Sequence, residues 1–267
     1  MRELCLQEIR EYQIAILDYV TEICKKNSLK FSLDSGTLIG AIRHKGYIPW
    51  DDDIDITMLR KDYNRLIEIL KKSNGRYRVL TFETSNDYYY PFAKIVDTQT
   101  LLVENKNISI PHLGINIDVF PQDTLPDDEK ECRAFQEKVR KSRDKIMFAV
   151  MKTNFKELFS HPRFVFKSVF YTLVGWRHEL RKLDSFVQMY ADYESKWVEQ
   201  IVSTSSMYRK GPRHFFDEYI EAEFEGKYYP VIKEYDAYLR NIYGDYMQLP
   251  PEEKRVTHHD FKAYLCT

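Results

Sequence analysis

The spacing of hydrophobic residues predicts alternating helices and short strands along the first half of the chain. Apolar positions recur at helical intervals from Leu6 to Ile23 and again from Tyr63 to Leu70, which predicts two amphipathic helices. A small-residue turn followed by a short helix is expected at 34–43. Short apolar runs bounded by turn residues predict strands at 29–34, 53–58, 76–83, 92–98, 100–105 and 114–120.

The second half has a different pattern. Acidic residues after Pro126 favour a helix start, and the chain is expected to be helical from there to about Ser206. The tail from Lys227 predicts a further helix, a Pro-Pro turn and a closing segment. The pattern as a whole predicts an α+β fold, with a small sheet built by residues 1–125 and a helical region at 126–267. We expect the two to form one compact unit.

Composition excludes several classes of protein. Among 267 residues, 40 Lys and Arg balance 41 Asp and Glu, so the net charge of −1 gives no sign of nucleic-acid binding. The four cysteines are far apart, which argues against a zinc site or a disulfide scaffold and favours a reducing cytoplasm. The N-terminus is charged throughout, unlike a signal peptide. No uncharged apolar run reaches the roughly 20 residues of a membrane span, so a soluble or peripheral protein is expected.

The stretch PWDDDIDITM concentrates like charges beside apolar residues. If it is extended, Asp51, Asp53 and Asp55 share one face, while Ile54 and Ile56 point into the core. Two carboxylates about 4 Å apart repel by about 1 kcal/mol even in water. A divalent cation would offset this repulsion, and ligands that are all oxygen favour Mg²⁺ or Mn²⁺.

Two other interpretations of this stretch are open. The first is a solvated acidic loop before a strand, although the alternation of isoleucines favours a half-buried backbone. The second is a calcium loop, because Asp51, Asp53, Asp55 and Asp62 occupy positions 1, 3, 5 and 12 of that pattern. Ile56 stands where its sharp turn requires glycine, which argues against the calcium loop.

Two further features complete a candidate site. Ser35, Gly36 and Thr37 form a small-residue turn at a predicted helix start, where backbone N–H groups favour anions and the two hydroxyls add donors. Asp118 lies between two β-branched residues in a predicted core strand, where a carboxylate is either paired or functional. The combination predicts a phosphate-binding turn beside a metal that is held by carboxylates of two neighbouring strands.

These residues resemble a known family. The stretch SGTLIGAIRHKGYIPWDDDIDI at 35–56 closely resembles the signature of the LicD phosphotransferases, which include bacterial phosphocholine transferases and, more distantly, fukutin-related protein. The resemblance extends through FAKIVDT, GINIDVFPQD and the tail YGDYMQLPPEEKRVTHH. It therefore covers most of the chain, with the middle stretch least diagnostic.

The resemblance implies a nucleotidyltransferase-like mixed sheet with flanking helices. It also implies transfer of phosphocholine from CDP-choline to a sugar hydroxyl of a teichoic acid, capsule or lipopolysaccharide precursor. The acceptors of the family are often built on lipid carriers. By resemblance, Asp53 and Asp55 are the metal-binding pair, Asp118 is the third carboxylate, and Asp51 belongs to the same signature. The turn at 35–37 matches the phosphate-holding turn of that fold. Asp118 either accepts the proton of the hydroxyl or holds a second metal.

Other functions stay open at this stage: transfer from CDP-ribitol or CDP-glycerol, nucleotidyl transfer to a small acceptor, and a non-enzymatic metal-binding module. Arg43 and Lys94 are candidates for phosphate contacts, or else solvated surface charges. His258 and His259 are candidate donors that close over the donor nucleotide or the acceptor, or else they hold the C-terminal segment in place. Aromatic faces bind quaternary ammonium groups well, and the candidates near the motifs are Tyr47, Trp50 and Tyr88 to Tyr90.

The middle of the chain is strongly basic. Residues 138–182 contain twelve Lys or Arg and three Asp or Glu, with an apolar and aromatic run from Phe164 to Trp176. Basic flanks around an aromatic helix suit an anionic membrane surface, where each Lys or Arg is worth about 1 kcal/mol. We therefore expect peripheral contact with the inner face of the cell membrane, with an ordinary buried helix as the alternative.

Overall fold

The computed structural model describes residues 1–104, 108–151, 170, 175–203, 209–257 and 260–266. Within these residues the chain forms a mixed α/β fold. The six α-helices of the described part are α1 (Leu6–Lys26), α2 (Ser35–Arg43), α3 (Arg60–Lys71), α4 (Glu129–Val150), α5 (Trp176–Val187) and α6 (Tyr235–Tyr243). Single turns of 3₁₀ helix lie at Gln188–Tyr190, Arg213–Phe216 and Glu252–Lys254.

The strands of the described part form one large mixed sheet, a hairpin and a small sheet. They are β1 (Arg2–Glu3), β2 (Ser32–Leu33), β3 (Asp55–Leu59), β4 (Tyr77–Leu80), β5 (Ala93–Asp97), β6 (Thr100–Glu104), β7 (Asn116–Thr124), β8 (Trp197–Glu199), β9 (Gly211–Pro212), β10 (Tyr219–Phe224), β11 (Lys227–Ile232) and β12 (Phe261–Leu265). The predicted helices and strands of the first half are thereby confirmed, with boundaries shifted by a few residues.

The large sheet has the order β2-β3-β7-β5-β4, and β8 and β9 extend it from the far end of β7. Strands β3 and β7 run parallel, whereas the other pairings in this sheet are antiparallel. The side chains of Ile54, Ile56, Ile117 and Val119 are fully buried, because helices α1 and α3 pack against these central strands. Parallel strands that are buried in this way read as apolar runs, as GINIDVF does.

The expectation of a helical C-terminal half is wrong in part. Helices α4 and α5 are present, but β8 to β12 also lie in this half. The stretch KYYPVI, which we expected to begin a helix, forms strand β11 and pairs with β10 through a turn at Glu225 and Gly226. Both turn residues have positive φ values, 52° and 72°, as a tight hairpin turn requires. The sequence signal was missed because the strand runs almost directly into helix α6.

Two hydrophobic clusters fill the described structure. One joins α1, α2 and α3 to the sheet and to the β10–β11 hairpin, and the other joins α4 and α5 to β4, β5 and the buried Tyr88 and Tyr89. The C-terminal strand β12 pairs with β1 on one side and β6 on the other. The end of the chain is thereby tied to its beginning. No helix within the described ranges has the length and apolar content to cross a bilayer.

Candidate active site

Two acidic residues lie side by side on the central parallel strands. Asp55 begins β3, and Asp118 is its direct partner on β7. The backbone N–H of Asp118 also donates to the carbonyl oxygen of Ile54 at 2.9 Å. Because residues in register on neighbouring strands point to the same face of a sheet, both carboxylates are presented at one edge of the core. The predicted pairing of an acidic strand with Asp118 is confirmed as a matter of geometry.

The placement of Asp51 and Asp53 on the strand itself is wrong. Strand β3 begins at Asp55, so both residues lie in the loop that precedes it. The carboxylates of Asp51, Asp52 and Asp53 nevertheless each present an oxygen atom within 4.8 Å of the others. Ile54 and Ile56 are fully buried as predicted. The loop before β3 therefore brings these three carboxylates together, and alternation along a strand explains only Asp55.

Asp52 is a residue that our sequence interpretation left without a role. It is 7% exposed, and its carboxylate accepts a hydrogen bond of 2.5 Å from the hydroxyl of Thr257. Its carbonyl oxygen accepts from the side-chain amide of Gln13 at 2.9 Å. Arg10, also on α1, donates to the carbonyl oxygen of Asp51 at 2.6 Å. Helix α1 and the C-terminal segment thus fix the acidic loop from two sides.

The predicted small-residue turn is the first turn of helix α2, and it lies against the acidic loop. A Cβ atom at Gly36 would stand 2.4 Å from a carboxylate oxygen of Asp51, so a larger residue here would displace that carboxylate. Ser35 has φ of 49°, in the left-handed region that is uncommon for residues other than glycine. Such strain in the backbone is found most often at functional sites.

Thr37 has a structural task in this turn. It is 2% exposed, and its hydroxyl accepts a hydrogen bond of 2.9 Å from the backbone N–H of Asp55. The backbone N–H of Asp34 donates to the carbonyl oxygen of Asp55, also at 2.9 Å. The turn and the acidic strand are therefore locked together. Ser35, in contrast to the buried Thr37, is half-buried.

The carboxyl group of Asp55 is the electrostatic centre of this cluster. Burial raises its pKa well above the ordinary value, and the negative charges of Asp53, Asp118 and Asp34 raise that pKa further. Desolvation and like charges both disfavour the ionised form. A cation at this point would favour the carboxylate.

Lys94 contacts the acidic site directly. Its ammonium donates to Asp118 at 2.5 Å and to the side-chain oxygen of Asn116 at 3.2 Å. The ammonium also lies 5.1 Å from the centre of the Tyr90 ring. Burial is the largest single effect and lowers the pKa of Lys94, but the negative charges of Asp118 and Glu104 and the hydrogen bond to Asp118 together outweigh it, so the pKa is raised. Lys94 is therefore held as a cation beside Asp118, on the neighbouring strand β5.

Arg43 and Trp50 lie along the C-terminal segment. The guanidinium of Arg43 donates to the carbonyl oxygen of Tyr246 at 2.5 Å. The guanidinium carbon of Arg255 lies 5.8 Å from the Trp50 ring, which is half-buried. Both side chains contact the segment that runs from α6 towards β12. A contact of either with a phosphate or a choline group stays a prediction.

The other aromatic residues that we considered for choline binding differ in their burial. Tyr88 and Tyr89 are fully buried and Tyr47 is 7% exposed, so these three rings belong to the core. Tyr90 is half-buried, and its hydroxyl donates to Glu104 at 3.3 Å. His258 and His259 lie outside the described residues, and their predicted role stays untested.

Three residues beyond the acidic motif also converge on this site. Asp34 is 1% exposed, and it accepts a hydrogen bond of 2.8 Å from the hydroxyl of Tyr238 on α6. Tyr243, on the same helix, interacts with Ser35, Asp34 and Arg209. The tyrosines appear in the sequence only as an ordinary amphipathic pattern. The signal that could have drawn attention to Asp34 is its position directly before the Ser-Gly-Thr turn.

The donor set fits a hard divalent cation. Carboxylate oxygens of Asp51, Asp52 and Asp53 lie within 4.8 Å of one another. Asp51 and Asp53 are also close enough to Asp55 for their charges to raise its pKa. The pKa of Asp55, raised by burial and by its acidic neighbours, shows the electrostatic strain that a cation would relieve. Oxygen ligands alone favour Mg²⁺ or Mn²⁺ over softer metals.

Comparison with known proteins identifies the family. The profile described as LicD/FKTN/FKRP, nucleotidyltransferase domain, matches residues 28–158, which include both acidic strands and the turn of α2. Lipopolysaccharide cholinephosphotransferase LicD of Haemophilus influenzae is 33% identical over 274 residues, covering 99% of this chain and 100% of that protein. An uncharacterized protein of Rickettsia prowazekii is 27% identical over 133 residues, covering 46% of this chain and 48% of that protein.

The resemblance noted from the sequence motif is thereby confirmed over nearly the full length of the chain. The matched region contains the residues whose geometry is described above. This chain belongs to the LicD family.

Proposed function

We propose that this protein transfers phosphocholine from CDP-choline to a sugar hydroxyl of a cell-surface glycan precursor in a reaction that requires Mg²⁺ or Mn²⁺. The observation that carries the proposal is the similarity, over 99% of the chain, to a lipopolysaccharide cholinephosphotransferase. The pairing of Asp55 with Asp118 on adjacent parallel strands supports it, because it supplies acidic groups to a phosphoryl-transfer site.

The reaction would be a displacement at phosphorus. The oxygen of the sugar hydroxyl attacks the phosphorus that carries choline, the bond from that phosphorus to the bridging oxygen breaks, and CMP leaves. The hydroxyl proton passes to a carboxylate, for which Asp118 is suited by its position and its 15% side-chain exposure. General base assistance of this kind contributes typically about 10²–10⁴ in rate.

The residues that would hold the metal are Asp53 and Asp55, with Asp51 or Asp118 completing the set. The ion would supply charge neutralisation at the diphosphate and at the leaving phosphate. The first turn of α2, with Ser35 and Gly36, lies against Asp51 and offers backbone N–H groups to a phosphate.

Lys94 would act as a positioning residue. Its ion pair with Asp118 and its hydrogen bond to Asn116 fix the carboxylate's orientation on β7. Because the pair is nearly buried, with side-chain exposures of 10% and 15%, water screens it less than a surface pair. The same ammonium could contact a phosphate oxygen once the donor is bound.

The test is a donor assay with mass spectrometry. Purified protein is incubated with CDP-choline, Mg²⁺ and a truncated lipooligosaccharide, and CMP and the phosphocholine-bearing product are measured. Formation of both supports the proposal. Turnover of CDP-ribitol or CDP-glycerol in preference to CDP-choline would reassign the donor. Release of pyrophosphate from a nucleoside triphosphate would indicate a nucleotidyltransferase instead, and no turnover of any donor would indicate a binding module.

We also propose that the protein works at the inner face of the cell membrane, where a lipid-linked glycan would be presented. The basic composition of residues 138–182 supports this proposal, although the apolar run from Phe164 to Trp176 falls mostly outside the described residues. Co-sedimentation with anionic and neutral vesicles tests it. Binding to anionic vesicles that fades with salt is expected, and absence of binding at low salt would refute it.

A further inference from the structure

Arg209 lies beside the acidic site, and no described residue forms a hydrogen bond or an ion pair with its side chain. It precedes the short strand β9, and its backbone N–H donates to Glu199 at 2.9 Å. Among the described residues, its guanidinium forms no ion pair, and its Nε atom is buried without a hydrogen-bond partner. A buried donor left without a partner carries a desolvation cost that no hydrogen bond offsets. A buried donor of this kind is available to a bound ligand.

Tyr243 connects Arg209 to the turn of α2. The guanidinium carbon of Arg209 lies 5.4 Å from the centre of the Tyr243 ring. Tyr243 also interacts with the side chain of Ser35 and with the charges of Asp34 and Asp55. The stacked arginine therefore stands at the side of the site where the strained first turn of α2 begins.

Two other cations of the described structure near the site already have protein partners. Lys94 is paired with Asp118, and Arg43 donates to the carbonyl oxygen of Tyr246. The site gathers the carboxylates of the acidic loop, Asp55 and Asp118, so an incoming diphosphate would meet strong repulsion. An uncommitted guanidinium at its edge would offset part of that repulsion.

We propose that Arg209, stacked on Tyr243, binds a phosphate oxygen of the nucleoside-diphosphate donor. The inference rests on the proposed function for the identity of the donor. A guanidinium is planar, stacks on aromatic rings and offers paired donors that match phosphate oxygens. A competing explanation is that Arg209 only balances the buried charge of Asp34, whose pKa it lowers against the larger effect of burial.

The experiment measures binding of CDP and of cytidine in Mg²⁺ by isothermal titration calorimetry, with no acceptor present. Arg209→Gln is compared with wild type, with Arg209→Lys and with the control Lys210→Gln. Lys210 is a good control because it neighbours Arg209 in sequence, and its ammonium lies 4.6 Å from a different ring, that of Trp197.

We expect Arg209→Gln to weaken CDP binding by about 10- to 100-fold, as loss of a charged hydrogen bond does. Cytidine, which has no phosphate, should bind as it does to wild type. The CDP affinity of Arg209→Lys should lie between those of wild type and Arg209→Gln, because lysine keeps the positive charge but lacks the paired N–H donors of the guanidinium. Lys210→Gln should bind CDP like wild type.

Two results would overturn the inference: unchanged CDP affinity in Arg209→Gln, or an equal loss for CDP and cytidine. A lower melting temperature with an unchanged ratio of the two affinities would assign Arg209 to the support of Asp34 instead. The donor assay separates the two proposals. If wild type releases CMP from CDP-choline while Arg209→Gln binds CDP normally, this inference fails and the proposed function stands. If wild type does not turn over CDP-choline but Arg209→Gln weakens CDP binding, the proposed function fails and this inference stands.

Discussion

Asp55 and Asp118 are direct partners across the parallel pair β3 and β7. Both side chains therefore reach the same edge of the sheet, where the acidic loop and the first turn of α2 also end. Lys94, on the strand on the other side of β7, neutralises Asp118 but leaves Asp55 among acidic neighbours. The net charge of the site therefore changes when a cation binds beside Asp55. The first two predictions follow from this arrangement.

We predict that Asp53→Ala and Asp55→Ala each abolish turnover while the protein stays folded. In chelator, Asp55→Ala should melt at or above the temperature of wild type, because it removes a buried group repelled by its neighbours. In Mg²⁺, the wild type should gain thermal stability and the variants should not. Asp192→Ala, at an exposed position, is the control and should match wild type throughout. Near-normal activity in both site variants would refute the metal assignment.

Asp118→Asn should lower kcat by about 10²–10⁴ while the fold is retained, because the amide keeps the shape of the carboxyl but cannot accept the proton. Steady-state kinetics with CDP-choline measures this change. The ion pair with Lys94 is lost at the same time, so Lys94→Met is the companion variant. It should reduce the rate less than Asp118→Asn does. A change in kcat of under threefold for Asp118→Asn would remove this residue from the chemistry.

Gly36→Ala should lower activity, because the new Cβ would stand 2.4 Å from the carboxylate oxygen of Asp51 and displace that carboxylate from the first turn of α2. Gly75→Ala is the matched control, since its Cβ would meet nothing closer than the hydroxyl of Ser73 at 3.7 Å. Kinetics and thermal melts of both variants are compared. Equal activities would show that the close contact at Gly36 is not needed.

Tyr238→Phe should destabilise the protein by roughly 1–3 kcal/mol, because the buried carboxyl of Asp34 loses its donor. Burial raises the pKa of Asp34, and the Tyr238 hydroxyl works against that rise. A carboxyl with a raised pKa favours the folded state most below its unfolded pKa, about 3.9. That contribution is lost as pH rises through the folded pKa.

The stability deficit of Tyr238→Phe should therefore be larger at pH 8 than at pH 5, as measured by urea unfolding. Tyr235→Phe, at a half-buried position on the same helix, is the control and should show little change at either pH. A deficit that is the same at both pH values would mean that Tyr238 does not act through the charge of Asp34.

Arg60→Leu should cost about 3–5 kcal/mol of stability, because it leaves the carboxylate of Asp123 buried without its partner. The two groups form paired hydrogen bonds of 2.6 and 2.8 Å, and their side chains are 5% and 1% exposed. Arg133→Leu breaks an exposed pair with Glu129 and should cost at most about 1 kcal/mol. Urea unfolding compares the two. A similar small cost for both would contradict the role given to burial.

The pattern of hydrophobic and polar residues was sufficient to predict most helices and strands of the first half of the chain. Local spacing carries that information, since an amphipathic period or a run of β-branched residues is decided within a few positions. The acidic motif and Asp118 could likewise be selected, because carboxylates beside buried isoleucines need a physical explanation. The hairpin of β10 and β11 was missed for the same local reason, because the pattern of β11 runs into that of α6.

Only the tertiary structure decided which of these residues meet. The register of β3 against β7 brings Asp55 to Asp118, and the fold of the C-terminal half brings Tyr238, Tyr243 and Arg209 to the turn of α2. Nothing in the local spacing of a tyrosine or an arginine distinguishes a surface position from one beside a distant carboxylate. Such contacts depend on sheet order and packing, which are set by the whole chain, and so the identity of the site's outer residues became visible only in the folded protein.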